Sequence, residues 1–277
     1  MSQFENQEPE SKGGKRNKAI FGGLGVLGLA AFKFKAFGLV LLKLLSGFKF
    51  LYFLKSFLSM FIMIGLYTMT FGWVYAVIVV GLILIHEMGH YIFMKGMKLD
   101  PKLPIFIPFM GAYVAMDKLP PDQTTHAWVA LAGPLVGGAV SVIFCYLGVI
   151  YKIDFLTAAG NTGVFFNALQ LIPAKPLDGG FVLHAVSKWL LVVGTGLAFV
   201  GGVYLSSPLF LIIAIISIFT TWSALKTVPD SEGKVNGQTQ ATPGEKVLIG
   251  CSYFTLLGIL GYVYWLSHNE LIRLVPN

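Results

Sequence analysis

Long apolar runs, broken by short polar or proline-rich intervals, set the pattern of this chain. Residues 57–85 contain no charged side chain. As one helix, residues 56–94 would run to nearly 60 Å, roughly twice the hydrocarbon thickness of a bilayer. The run therefore doubles back, and Thr70-Phe71-Gly72-Trp73 is the expected turn. The pattern predicts spans at 56–71, 73–94, 127–151, 155–172, 189–205, 208–225 and 247–266. The expected fold is an all-α polytopic membrane protein of about six to seven transmembrane helices.

The interval 95–125 breaks this pattern. It carries Lys95, Lys98, Lys102 and Lys118 and prolines 101, 104, 108, 120 and 121. Within it, Ile105–Met116 is apolar but too short and too proline-rich to span as a helix. Its β-branched and aromatic residues favour an extended β-hairpin or re-entrant loop dipping into the membrane. Backbone of that kind survives at depth only where protein or a wet cavity covers it. Two readings stand side by side, a plain plug or a strand edge that pairs with an extended substrate. On the second, Gly111 permits close backbone approach, and Tyr113 and Val114 lie on the edge.

Upstream, residues 1–18 are polar and basic and read as a disordered tail. Residues 19–32 are apolar and Gly-rich but short for a span. Lys33, Lys35, Lys43, Lys49 and Lys55 then punctuate an apolar stretch without forming one stripe. An interfacial segment with snorkelling lysines is the first reading, and a short extra span at 19–32 is the second. The organisation expected is a basic tail and interfacial segment at 1–55, a membrane core at 56–190 that holds the candidate chemistry described below, and further membrane helices at 191–277. The last part includes a flexible, cytoplasmic loop at 226–246.

Composition narrows the class. The chain is 56% hydrophobic and 12% charged, far more apolar than a soluble domain. Its net charge of +7 does not imply nucleic acid, because the lysines flank apolar spans. With the N-terminus inside and the spans alternating, all of the 20 Lys and Arg except Lys152 and Arg273 fall on the inner side. The expected location is a bacterial cytoplasmic membrane, with the N-terminus cytoplasmic. Cys145 and Cys251 both sit in apolar spans and form no disulfide framework. No cleavable signal peptide is evident.

The candidate chemistry lies in His86-Glu87-Met88-Gly89-His90. Residues four apart share a helix face, so His86 and His90 can hold one zinc ion, with Glu87 placed to act as base on a water. Ionisable groups at bilayer depth cost about 3 kcal/mol or more, and metal ligation accounts for three of them at once. Two histidines leave such a site one ligand short. Asp178 is the only acid between Asp154 and Asp230, and it is the best candidate for the third. His126 and His184 read either as supports of the site or as surface histidines.

These residues resemble the site-2 protease family of intramembrane zinc metalloproteases. The resemblance rests on His86-Glu87-Met88-Gly89-His90, then Ala132-Gly133-Pro134 with the glycines after it, then Pro176-Leu177-Asp178-Gly179-Gly180. Pro108-Phe109-Met110-Gly111-Ala112 also looks like the family's membrane-embedded strand region. It implies one zinc held by His86, His90 and Asp178, with Glu87 as the base. It implies regulated intramembrane proteolysis of a substrate's transmembrane helix near the cytosolic face. Family members usually carry an asparagine eight residues before the ligand aspartate. Here that position is Gln170, and Asn167 lies one turn earlier. Both are candidates for binding the substrate.

Two other readings compete. A non-catalytic relative that binds membrane helices as adaptor or chaperone would be favoured by loss of Glu87 or Asp178, and both are present. A transporter with an intramembrane metal site predicts repeated halves, and no second copy of the zinc motif occurs.

Overall fold

The computed structural model describes residues 48–108 and 111–273. The basic tail, and the segment at 19–32 with its two readings, lie outside them. The chain divides into two compact units, Met1–Leu54 and Lys55–Asn277. Of the first, only the opening turns of helix α1 are described.

The elements are α1 (Phe48–Phe71), α2 (Trp73–Gly96), β1 (Ile105–Ile107), β2 (Gly111–Tyr113), α3 (Gln123–Tyr151), α4 (Asp154–Gln170), α5 (Asp178–Val186), α6 (Lys188–Tyr204), α7 (Pro208–Lys226) and α8 (Pro243–Arg273). Five helices, α1, α2, α3, α7 and α8, are long and apolar enough to cross a membrane among the described residues. Helices α4 and α6 have 17 residues each. At about 25 Å they reach the lower limit of a membrane crossing. Seven helices thus match the seven apolar runs. The break between α1 and α2 falls at Gly72, whose φ of 81° lies in the left-handed region that glycine enters without steric cost.

The membrane assignment shows on the surface. Phe61, Tyr146, Leu197, Phe219 and Trp265 are each more than half exposed. In water such a coat of large apolar side chains would drive association; in lipid it is the solvated face. The interior, though largely apolar, carries polar side chains that bond between helices. Thr195 Oγ1 lies 2.7 Å from Ser217 Oγ and 3.0 Å from Thr221 Oγ1, joining α6 to α7. Asn161 Nδ2 donates to Ser267 Oγ at 2.8 Å, joining α4 to α8. Such bonds replace the hydrophobic drive that lipid removes.

One buried cluster gathers Ala127, Ala130 and Leu131 of α3, Val164 of α4, Val182 and Leu183 of α5, and Ile249, Tyr253 and Leu260 of α8. Tyr253 also donates its hydroxyl to the carbonyl of Leu171, where α4 ends. This anchors the tight turns at 171–177 and, through them, the start of α5. A second cluster packs Met63 and Tyr67 of α1 against Ala76, Val79, Val80 and Ile83 of α2, with Phe106 of β1.

The interval after α2 forms an antiparallel hairpin, with Ile105 opposite Tyr113, Phe106 opposite Ala112 and Ile107 opposite Gly111. A bridge between Pro101 and Met116 extends it, and Phe106 N–H donates to Ser59 Oγ of α1 at 3.0 Å. The loop before α8 departs from the flexible segment that its composition predicts. Thr239 forms a bridge to Asp122, Gln123 N–H donates to Thr239 O at 2.9 Å, and Gln238 Nε2 donates to Pro120 O at 2.9 Å. Polar composition registers solvent contact but not these long-range backbone partners.

With seven crossings, the 227–242 loop and the approach to α3 share one side of the membrane, and the α3–α4 turn at Lys152 lies on the other. Single cysteines at Lys234 and Lys152 are therefore expected to be labelled by impermeant reagent from opposite faces. On the charge bias, the label is expected to reach position 234 from the cytoplasmic side. Labelling of position 234 from outside intact cells would overturn this arrangement.

Candidate active site

Helix α2 carries His86, Glu87 and His90 some 20 Å along its length from Trp73. All three are buried. Asp178 opens α5, where a carboxylate complements the helix dipole. The turn at 171–177 brings it against α2. His86 Nε2 lies 3.1 Å from Asp178 Oδ2, His90 Nε2 lies 3.3 Å from the same oxygen, and the two imidazole nitrogens are 3.1 Å apart. The three residues predicted as ligands form one cluster.

The second nitrogen of each ring decides what this cluster is. His90 Nδ1 is 2.7 Å from the carbonyl of Val129, which can only accept, so Nδ1 carries the proton. His86 Nδ1 is 2.9 Å from Asn167 Oδ1, likewise an acceptor. In the neutral rings both Nε2 atoms are therefore lone pairs turned toward a carboxylate oxygen. Asp178 Oδ2 is itself buried with no hydrogen bond, although both nitrogens stand within 3.3 Å. Three electron-rich atoms converge with no hydrogen between them, and a cation is the group that relieves this. Two ligands on a tetrahedral zinc at about 2.0–2.1 Å stand about 3.3 Å apart, so the triangle fits zinc in size as well as in donor type.

Helix α3 makes the convergence possible. A Cβ on Gly133 would stand 2.2 Å from His90 Nε2, and one on Gly137 would stand 2.6 Å from Asn167 Oδ1 and 2.9 Å from His86 Cβ. The small residues after Ala132 thus leave room for the imidazoles, beyond merely permitting close helix contact.

Beside the cluster lies a cavity of about 370 Å³. Glu87, His86, His90 and Asp178 line it together with Ala112, Tyr113 and Val114 of the hairpin and Gln170 of α4. The backbone N–H of Val114 is turned toward the Glu87 carboxyl. A smaller apolar pocket adjoins it, lined among others by Leu82, Gly111, Phe166 and Asn167. Gln170 and Ala112 border both. The structure therefore brings Glu87, Gln170, Tyr113 and Val114 around one space and puts Gly111 on the smaller pocket beside it. Asn167 is engaged with His86.

His126 and His184 are half-buried and lie outside the ligand cluster. His126 packs on Phe181 at 5.2 Å between ring centres and stands 3.4 Å from Gln238 Nε2 of the docked loop. His184 Nδ1 stands 2.9 Å from Lys175 Nζ. Burial first, then the neighbouring Lys175 charge, lowers the His184 pKa to about 4, so its neutral ring accepts from the ammonium. Burial lowers Lys175 itself to about 8. Sequence carries no signal for this pairing, because each residue's partner is set by the turn at 171–177. Cys145 is buried and Cys251 exposed, both as free thiols.

Residues 74–153 match the sequence profile of Peptidase family M50. That stretch includes the two histidines, Glu87 and the glycines of α3, and it ends before Asp178. The chain is 30% identical over 115 residues to the probable zinc metalloprotease EGY1, chloroplastic, of Arabidopsis thaliana, covering 40% of this chain and 20% of that protein. It is 29% identical over 139 residues to the zinc metalloprotease MJ0392 of Methanocaldococcus jannaschii, covering 47% of this chain and 40% of that protein. The match thus spans less than half the length of each relative.

The geometry sets an expectation for metal content. The wild-type protein is expected to retain about one zinc per chain, and His90→Ala to lose it. Gly133→Ala should also lose zinc, because its methyl group occupies the position of the His90 ring. Gly65→Ala, where nothing lies within 4 Å of the added carbon, is the matched control. Elemental analysis reads all four. Full zinc in His90→Ala would refute the ligand set.

Proposed function

We propose, from the match of residues 74–153 to peptidase family M50 and the similarity to zinc metalloproteases, that the chain is an intramembrane endopeptidase of the site-2 protease family. Its substrate is the transmembrane segment of another membrane protein, cut as a step of regulated intramembrane proteolysis. The observation that carries this reading is the placement of Glu87 and the three candidate ligands on the wall of one cavity, among helices whose outer faces are apolar. A metal site serving only structure would be closed, whereas this one opens to a space that a peptide could enter.

His86, His90 and Asp178 would hold the zinc. When bound there, zinc supplies Lewis acidity, making water a better nucleophile and the scissile carbonyl a better electrophile. Glu87 takes the proton of the attacking water and delivers it to the leaving amide nitrogen. Gln170, bordering both pockets, offers an amide N–H to the substrate backbone from one turn beyond Asn167.

The hairpin supplies the remaining need. A peptide bond inside a helix is hidden, because its carbonyl is hydrogen-bonded and crowded by side chains. Once the substrate unwinds, its freed backbone groups require partners within the membrane. Ala112 of β2 and Val114 just beyond it turn their backbone to the open side of the hairpin, border the cavity, and can pair with an extended chain without reading its side chains. The N-terminus is placed on the cytoplasmic side, supported by the distribution of lysines. The histidines then fall in the cytoplasmic half of α2, which puts the cut near that face.

Two experiments test this reading. Glu87→Gln is nearly isosteric, so it should keep fold and zinc while cleavage of a single-span substrate falls by about 100-fold or more. Turnover within tenfold of wild type would exclude the base role. The Phe106 N–H points away from β2, so in the alternating ladder Ala112 and Val114 turn their N–H groups to the open edge and Tyr113 turns its own to Ile105. Ala112→Pro and Val114→Pro each remove an edge donor away from the ligands. Both should hold zinc and cleave slowly. Val114→Pro also deletes the amide turned toward Glu87, so Ala112→Pro is the cleaner variant. Wild-type cleavage by both would reduce the hairpin to a plug.

A further inference from the structure

We propose that Asn167 is a positioning residue for the ligand His86: its carboxamide fixes which imidazole nitrogen is offered to the metal. The inference rests on the zinc reading above and assigns a role apart from substrate binding.

Asn167 lies in α4, is 3% exposed, and makes two hydrogen bonds. Its Nδ2 donates to the carbonyl of Gly163 at 2.8 Å. That bond fixes the orientation of the amide, since only the nitrogen can donate to a carbonyl. Oδ1 is left facing His86 Nδ1 at 2.9 Å. An oxygen that can only accept holds the proton on Nδ1, and Nε2 keeps its lone pair aimed at the Asp178 side. Without the amide, His86 could carry its proton on either nitrogen and turn about its side-chain bonds. One tautomer would then place an N–H where the metal belongs.

The two histidines differ in how this is arranged. His90 relies on the backbone carbonyl of Val129, which no substitution removes. His86 relies on a side chain from a different helix. Space for the pair is reserved by Gly137, whose added carbon would stand 2.6 Å from Asn167 Oδ1. Three helices, α2, α3 and α4, are thus built around this contact. A second buried amide on the same helix gives the contrast. Among the described residues Asn161 bonds to α8, donating to Ser267 Oγ at 2.8 Å and to Tyr264 O at 3.3 Å. It joins helices and touches no ligand.

The two roles separate by zinc affinity. Removing a partner of this kind from a metal-bound histidine lowers metal affinity by about 10- to 100-fold. The test uses the full chain in detergent micelles, with zinc affinity measured by chelator competition and the ligand field read from cobalt(II) absorption. Asn167→Leu, which keeps bulk and loses the acceptor, should bind zinc about 10- to 100-fold more weakly and show an altered cobalt spectrum. Asn167→Asp keeps an acceptor on Nδ1 and should stay within about threefold of wild type or bind more tightly, as carboxylate–histidine–zinc arrangements do. Asn161→Leu should lower the thermal midpoint and leave zinc affinity unchanged. If Asn167→Leu does not fold, Asn167→Ala carries the same comparison.

Wild-type affinity in the Leu or Ala variant overturns the proposal, as does an Asp variant as weak as either. A wild-type chain that takes up no zinc overturns the proposed function, and this inference with it. A wild-type chain that binds zinc as tightly as Asn167→Leu overturns the inference alone.

Discussion

Three lone-pair atoms, two imidazole nitrogens and one carboxylate oxygen, stand within 3.3 Å of one another among buried helices. In a medium of low dielectric this contact is unfavourable unless a positive charge sits among the atoms. Each ring also needs an acceptor on its far nitrogen. Val129 of α3 supplies one and Asn167 of α4 the other. Helix α2 therefore has to be held closely on two sides at the level of the histidines. Glycines 133 and 137 allow that, because at those points the neighbouring surface is imidazole and amide, with no room for a methyl group. The fourth participant, α5, is too short to cross a membrane and is anchored where Tyr253 of α8 reaches the Leu171 carbonyl. Much of the helix arrangement follows from seating these three ligand atoms.

The demand sits within a fold that lipid cannot drive together by the hydrophobic effect. Large apolar side chains on the outer faces gain nothing by leaving the bilayer, so association depends on close packing and polar contacts. The Thr195–Ser217–Thr221 group and the Asn161–Ser267 bond are of that kind. Both lie away from the ligands. Polar residues in this membrane domain thus divide into those that join helices and those that bond to the clustered histidines, and composition alone does not separate the two.

Much of the architecture was legible in the chain because its signals are local. Seven apolar runs correspond to seven helices, the break at Gly72 was expected from length, and the β-favouring residues at 105–116 form a hairpin. His86 and His90 could be paired from helical spacing. Asp178 could be proposed because acids are scarce, although only the turn at 171–177 explains how it reaches α2. What stayed hidden depends on partners distant in sequence. The 226–246 segment has the composition of a flexible loop but docks through backbone bonds to residues 121–123. Asn167 and Gln170, one turn apart, were indistinguishable as candidates until the fold placed one on His86 and left the other bordering both pockets. His126 and His184 allowed a surface reading, whereas both are half-buried against aromatic and basic neighbours.

The hairpin raises the question of how non-helical backbone persists beside membrane helices. Its outer strand is covered: Phe106 is buried and its N–H is taken by Ser59 of α1. Its base is closed by the Pro101–Met116 bridge and by Val114 and Met116 packing on Met94, Leu99 and Val129. The inner strand borders the cavity at Ala112 and Tyr113, where no further strand pairs with it among the described residues. Backbone polar groups at such a place need water or another chain. On the proposed reading both arrive together, since hydrolysis requires a water at Glu87 and an unwound substrate beside it. The same exposed edge that would be a liability in a soluble sheet then becomes the means by which a helical substrate can be held extended.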